Sequence, residues 1–361
     1  MKRSFKTSGA LAATAAAALI LSACGEAPDE APETDESAPA AEEVDFKACL
    51  VSDEGGWDDR SFNQSAHEGL EDAIADLGID HAEAQSTAES DYAPNVDTMV
   101  QQGCDLVFGV GFMLEEGLTL AAQDNPDTTF ALIDSYFQEE LENGKPLVFN
   151  TGEAAYLAGY VAAAVSETGV VGTWGGIQIP SVTVFMDGFA DGVERYNTDN
   201  DADVRVVGWD KDSQQGSFSG DFSNQTQGRA VTEQLLSQDA DIIMPVAGNA
   251  GVGAGPAIEE AEAKMIWVDS DGFESTDYGN VILTSVLKEI SAAVYATIEE
   301  GVNGEFTTEP YIGTLENEGV GLAPFHDFDS EVPDDVKEAV EQIRQEIIDG
   351  ETVVESENAP S

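Results

Sequence analysis

From residue 46 onward, short apolar runs alternate with stretches whose apolar residues recur at helical spacing. The runs lie at residues 46–51, 106–110, 130–133, 170–174, 204–207, 242–246 and 265–268 and read as strands. Between the first two, Ala66, Leu70, Ala73, Ile74 and Leu77 share a helical face, and Ser61 with Gln64 reads as a capping box at its start. A similar helix begins near Thr226 and ends at Leu235 and Leu236, and residues 336–348 form another, followed by an acidic tail at 351–361. Such alternation is the mark of βαβ units on a largely parallel sheet. Two successive sets, about residues 46–150 and 151–271, predict two doubly wound α/β lobes instead of one long sheet. A ligand crevice then lies outside the carboxyl ends of the strands. Residues 53–58, 111–113 and Asp134 occupy that place in the first set, and Gly175-Gly176, Trp209-Asp210, residues 248–251 and residues 269–271 in the second.

Charge narrows the partners. The 361 residues carry 14 Lys and Arg against 71 Asp and Glu, a net −57, which leaves no clustered cations to displace counterions from a nucleic acid. Anionic membrane surfaces and anionic solutes are disfavoured for the same reason. About half of the chain is apolar once glycine is counted, an ordinary globular proportion, so the acid belongs to the surface. A carboxylate-rich, Lys-poor surface stays hydrated in concentrated salt, where screening relieves its self-repulsion. Melting midpoints should therefore rise across a sodium chloride series, and a midpoint that fell or stayed flat would count against a salt-adapted surface.

Lys2, Arg3 and Lys6 precede an uncharged Ala/Leu-rich run over residues 9–23, the layout of a secretory signal and too short to span a bilayer. It ends in Leu21-Ser22-Ala23-Cys24-Gly25, which resembles the lipobox of bacterial lipoproteins, with Cys24 as the lipidated residue. Residues 26–45 hold Glu, Asp, Ala and Pro without Lys or Arg, a composition that reads as an extended, disordered tether over 24–45. These features predict a globular body held by a lipid at the extracytoplasmic face of the cell membrane.

Cys49 and Cys104 remain. In an exported chain they read either as a disulfide between neighbouring strands or as two buried thiols, and with no nearby His neither reading implies nucleophilic catalysis. His67, His81 and His326 are scattered without zinc spacing. Asp199, Asp201 and Asp203 imitate a calcium loop, but Val204 replaces the required Gly. The glycines of 248–255 fail the phosphate-loop templates, because Pro256 takes the last Gly position and no Lys-Ser/Thr follows. The expectation is therefore a binding protein, not an enzyme, with no metal or cofactor, whose aromatics and carboxylates face a small flat solute.

The segment Asp53-Glu54-Gly55-Gly56-Trp57-Asp58-Asp59-Arg60-Ser61-Phe62-Asn63 resembles the opening motif of the basic membrane protein family, lipoproteins related to the purine nucleoside receptor of ABC importers. The resemblance continues through Gly109-Val110-Gly111-Phe112, residues 130–134, Glu153-Ala154-Ala155-Tyr156-Leu157-Ala158-Gly159 and Gly175-Gly176. It goes on through residues 247–251, 268–271 and 283–288 and closes at Pro324-Phe325-His326, spanning most of the body in order.

This resemblance implies a type I periplasmic-binding-protein fold whose two lobes are joined by a three-stranded hinge. The first lobe would hold residues 46–150 and about 284–325, the second 151–283 and about 326–350. It implies capture of a nucleoside, purine or pyrimidine undecided, by a monomer that delivers it to an ABC permease. Asp53 would bind the base edge, Phe62 would stack on the base, Asp134 would add a polar contact, and Asp269 with Lys288 would hold the ribose. Asn63, Phe112, Gly248 and a second-lobe aromatic, Trp209 or Phe185, complete the expected site. Rival readings are a receptor for another neutral solute such as a sugar or signalling molecule, a surface hydrolase, and an adhesin.

Overall fold

In chain order the first set of elements is β1 (Lys47–Ser52), α1 (Phe62–Leu77), β2 (Asp80–Ala84), α2 (Glu89–Gln101), β3 (Leu106–Val110), α3 (Glu115–Asp124), β4 (Thr129–Ile133) and β5 (Gly144–Phe149). The computed structural model describes residues 44–360. Then come α4 (Thr151–Val165), β6 (Val170–Gly175), α5 (Pro180–Asn200), β7 (Arg205–Val207), β8 (Trp209–Asp210), β9 (Gln215–Gly216), α6 (Gln225–Leu236) and β10 (Ile242–Val246). The second set ends with α7 (Gly248–Val252), α8 (Ala254–Ala261), β11 (Lys264–Asp269), α9 (Gly272–Ser275) and β12 (Ile282–Lys288). Last are α10 (Ile290–Asn303), β13 (Tyr311–Gly313), β14 (Val320–Leu322) and α11 (Asp334–Ile348).

Two six-stranded sheets result, ordered β13-β5-β4-β3-β1-β2 and β14-β12-β11-β10-β6-β7. Every pairing in the first is parallel, and only β12 with β14 runs antiparallel in the second. Six of the seven expected strands are buried on both faces, which requires the continuous apolar runs seen in the sequence, whereas β7 is a half-exposed edge strand. β2 is a polar edge strand and β5 contains Pro146, so neither carries that signal.

The chain passes between the sheets after β5, after β12 and after β13. α10 packs on α1 in the first lobe, whereas α4 packs on α5, β12 and β14 in the second. Two boundaries therefore move. Residues 284–288, expected in the first lobe, belong to β12, whose buried face pairs with β11 in the second sheet, and 320–322 join the same sheet as β14. α4 is buried nearly all round, as an apolar helix wedged between a sheet and α5 must be. Its approach to α5 is so close that a Cβ on Gly192 would lie 1.9 Å from the Tyr156 carbonyl oxygen.

Cys49 and Cys104 form a disulfide between β1 and the start of β3, with Cα atoms 6.0 Å apart. It closes a loop of 55 residues, for which chain entropy gives about 4 kcal/mol of stabilisation. Replacing both cysteines with alanine should lower the unfolding free energy in a denaturant titration by that order; a loss under about 1 kcal/mol would show the loop already ordered in the unfolded chain. The signal segment, Cys24 and nearly all of the tether lie outside the described residues; Val44, assigned to the tether, packs against the core. No described helix is long and apolar enough to cross a membrane.

Candidate ligand-binding cleft

Strand register brings the site together. β1 sets Ser52 opposite Val110 of β3, and β3 sets Val110 opposite Ile133 of β4, so Asp53, Gly111 and Asp134 stand side by side one residue beyond each strand. Gly111 has φ 111°, and a Cβ there would come within 2.7 Å of Asp53 Oδ2, so this turn requires glycine. In the second lobe β11 ends on Asp269, opposite Leu287 of β12, which delivers Lys288 beside it. Asp134 and Asp269 sit at φ 67° and 71°, a left-handed conformation that Asp tolerates better than most residues and that clusters at functional sites.

These ends border a cleft of about 530 Å³ counted to its open mouth, within the range of roughly 300–1,000 Å³ for small-molecule sites. Asp53, Phe62, Asn63, Phe112, Asp134, Phe185, Gly248, Asp269 and Lys288 all line it. Trp209 does not. Its indole Nε1 donates to Asp187 Oδ1 at 2.9 Å and its ring meets the edge of Phe218 at 6.1 Å, because the fully buried Asp187 carboxylate needs donors. Between the two aromatics expected from the second lobe, the structure therefore places Phe185 at the cleft. Met113, one of the strand-end residues 111–113, lines it too, and so do Asp59, Ile179 and Phe222, which the sequence does not mark as crevice residues. Asp59 lay inside the quoted motif; the apolar ones carry no mark that distinguishes a cleft wall from a core.

The polar floor is tightly bonded. Asp53 Oδ1 accepts from the Gly55 amide at 2.9 Å and from Asn63 Nδ2 at 2.8 Å. Burial outweighs those bonds, and with Asp59 and Glu54 nearby it pushes the Asp53 carboxyl up to about 7. Burial likewise raises Asp59, although that carboxylate accepts from the backbone amides of Ser61, Asn63 and Gln64 at 2.9–3.0 Å. Asp59 thus caps α1 in place of the expected Ser61–Gln64 box. The Ser61 hydroxyl is used across the cleft instead, donating to Asp269 Oδ2 at 2.5 Å. Next to it, the Arg60 carbonyl accepts from Trp267 Nε1 at 3.1 Å and from Ser270 Oγ at 3.0 Å, so this turn of the first lobe is stitched to the second.

Lys288 is buried and bonds Asp134 of the opposite lobe, with Asp269 Oδ1 at 3.9 Å. Its ammonium lies 4.8, 5.4 and 5.8 Å from the ring centres of Phe62, Phe149 and Phe185, within cation–π reach. Asp134 is raised by burial and by Asp269, and pulled back by Lys288. Asn63 Oδ1 alone among the polar side-chain atoms of this floor is buried without a hydrogen-bond partner; its Nδ2 serves Asp53 and Asp59, so the carbonyl oxygen cannot be exchanged for the nitrogen. The arrangement offers acceptors on one side, a cation between two carboxylates on the other, and aromatic faces between them.

The family model of PnrA-like ABC transporter substrate-binding proteins, the Bmp family, matches residues 46–358. The chain is 30% identical over 333 residues to the ABC transporter nucleoside-binding protein BmpA of Lactococcus lactis, covering 87% of this chain and 90% of that protein. A solute-binding protein of an ABC transporter system from Aeropyrum pernix superposes with a TM-score of 0.77 at 27% identity, over 85% of this chain and 92% of that one. One from Conexibacter woesei shares the fold at 22% identity, with a TM-score of 0.68 over 87% and 100% of the two chains. With the matched family spanning almost every described residue and the strand ends of both lobes meeting at one cleft, the chain belongs to the Bmp family of PnrA-like ABC transporter substrate-binding proteins.

Proposed function

We propose that this chain is an extracytoplasmic receptor, anchored by a lipid on Cys24, that closes its two lobes around a nucleoside and hands it to an ABC permease. The observation that carries the reading is the unpartnered Asn63 Oδ1 beside the Asp53 carboxyl on a floor faced by aromatic rings. A buried acceptor left unpaired costs about 1–3 kcal/mol, which a ligand N–H restores. Phe62 and Phe185 supply faces for a flat base, Asp53 and Asn63 meet its edge, and Lys288 with Asp134 and Asp269 holds sugar hydroxyls. Phe112 and Gly248 complete the enclosure. A neutral ligand is indifferent to the acidic field that repels nucleotides. The nucleoside named for the Lactococcus relative points the same way.

The test is calorimetry and thermal shift on the chain from Val44 onward, at high salt, unfolded and refolded to strip carried ligand. Nucleosides, free bases, nucleotides and simple sugars form the panel. A micromolar or tighter nucleoside with nucleotides silent is the expected result, and a sugar hit with every nucleoside silent would overturn it.

A further inference from the structure

The acidic tail expected at 351–361 is docked over its described residues. Val354 is buried against the core, Ser356 Oγ donates to Asp187 Oδ2 at 2.6 Å, and Asn358 Nδ2 donates to Gln214 Oε1 at 3.0 Å. Asp187, fully buried on α5, also accepts from Trp209 Nε1 and from Gln214 Nε2. A carboxylate held by neutral donors from three segments pins this stretch of chain to the second lobe. Beyond the anchor, residues 357–360 form one wall of a second cavity, about 910 Å³ counted to its mouth, with Glu115, Ser135 and Tyr136 of the first lobe across from them. Phe112, Asp134 and Ser181 border both this chamber and the ligand cleft.

We propose that the chamber is a substituent subsite of the ligand cleft and that residues 357–360 are its outer wall. The group it takes is a hydroxyl or an amine projecting from the sugar side of the ligand. Glu115, Asp134 and Glu357 border it and, among the described residues, no Lys or Arg does. Lys288, the nearest cation of the adjoining cleft, is already bonded to Asp134. A phosphate in this partly enclosed space meets uncompensated negative charge, whereas an ammonium or hydroxyl meets acceptors. The choice of parent ligand rests on the nucleoside reading above.

The experiment is calorimetry on the full chain with adenosine and uridine, their 5′-amino-5′-deoxy and 3′-amino-3′-deoxy analogues, and their 5′-monophosphates. At least one amino analogue should bind as tightly as its parent or tighter, with the monophosphates at least a hundredfold weaker. Val354→Ala/Ser356→Ala, which weakens two anchors of the tail and alters neither the cleft nor the chamber lining, should hold the parent affinity within threefold and cut the analogue-to-parent preference at least fivefold. An unchanged preference, or analogues tenfold weaker than their parents in the unmutated chain, would overturn the subsite. Silence of both parents would sink the nucleoside reading instead. The wall then stands or falls on hydrogen exchange in the same double variant: faster exchange at 112–115 and 134–137 is expected, and unchanged exchange there would dismiss it.

Discussion

Replacing Lys288 with methionine should abolish measurable ligand binding, by a hundredfold or more, and should also destabilise the protein. Lys288 is the cation between Asp134 and Asp269 at the junction of the lobes, and its side chain is 2% exposed. Removing one partner of a buried pair leaves an uncompensated charge and costs about 3–5 kcal/mol. Asp134 already has its carboxyl raised by burial and held back by Lys288, so without the lysine it rises further. A raised carboxyl contributes stability below its unfolded value and loses it as pH climbs through the folded one. The Lys288→Met deficit should therefore be larger at pH 8 than at pH 5. Adding Asp134→Asn should recover most of the stability and none of the binding, read by denaturant unfolding beside calorimetry. A single variant as stable as the parent at pH 8 would show that water, not burial, surrounds the pair.

Asp53→Asn should make the protein more stable at pH 8 while weakening its ligand affinity tenfold or more. Burial lifts the Asp53 carboxyl from 3.8 to about 7 in the folded state. Folding therefore takes up a proton here, and the stability this provides is complete below about 3.8 and gone above about 7. Ionised at pH 8, Asp53 costs on the order of 4 kcal/mol. Asparagine keeps the carbonyl oxygen that accepts from Gly55 and Asn63 and removes the charge. The variant's advantage should be several kcal/mol at pH 8, and small at pH 4, where the parent is already protonated. Melts at both values decide it; equal shifts at the two would mean that Asp53 titrates like a solvated carboxyl. Stability surrendered to hold a carboxyl at a ligand edge is the usual mark of a binding site.

The Lys288–Asp134 pair shows where the two lobes are bonded to each other. Lys288 comes from the second sheet and Asp134 from the first, and the Ser61 hydroxyl and Arg60 carbonyl add hydrogen bonds across the same cleft. These contacts between the lobes border the cleft itself.

Local pattern was enough for the α/β class, six buried strands with the edge strand β7, and α1, because runs buried on both faces and helical stripes are written in adjacent residues. Strand-end positions such as Asp53, Asp134 and Asp269 were legible too, since a parallel sheet presents its ligand at those ends. Tertiary structure decided the rest. Asp59 rather than Ser61 caps α1, because a partner across the cleft claims the serine hydroxyl. Trp209 turns to Asp187 and leaves the cleft to Phe185, a choice set by a buried carboxylate 22 residues away in sequence. The pairing of Lys288 with Asp134 spans 154 residues, and the docking of Ser356 on Asp187 spans 169. No periodicity reports contacts at such separation. What the sequence determined by itself was which faces must be buried; which polar groups then meet depended on two sheets being brought together, and only the folded chain supplies that distance.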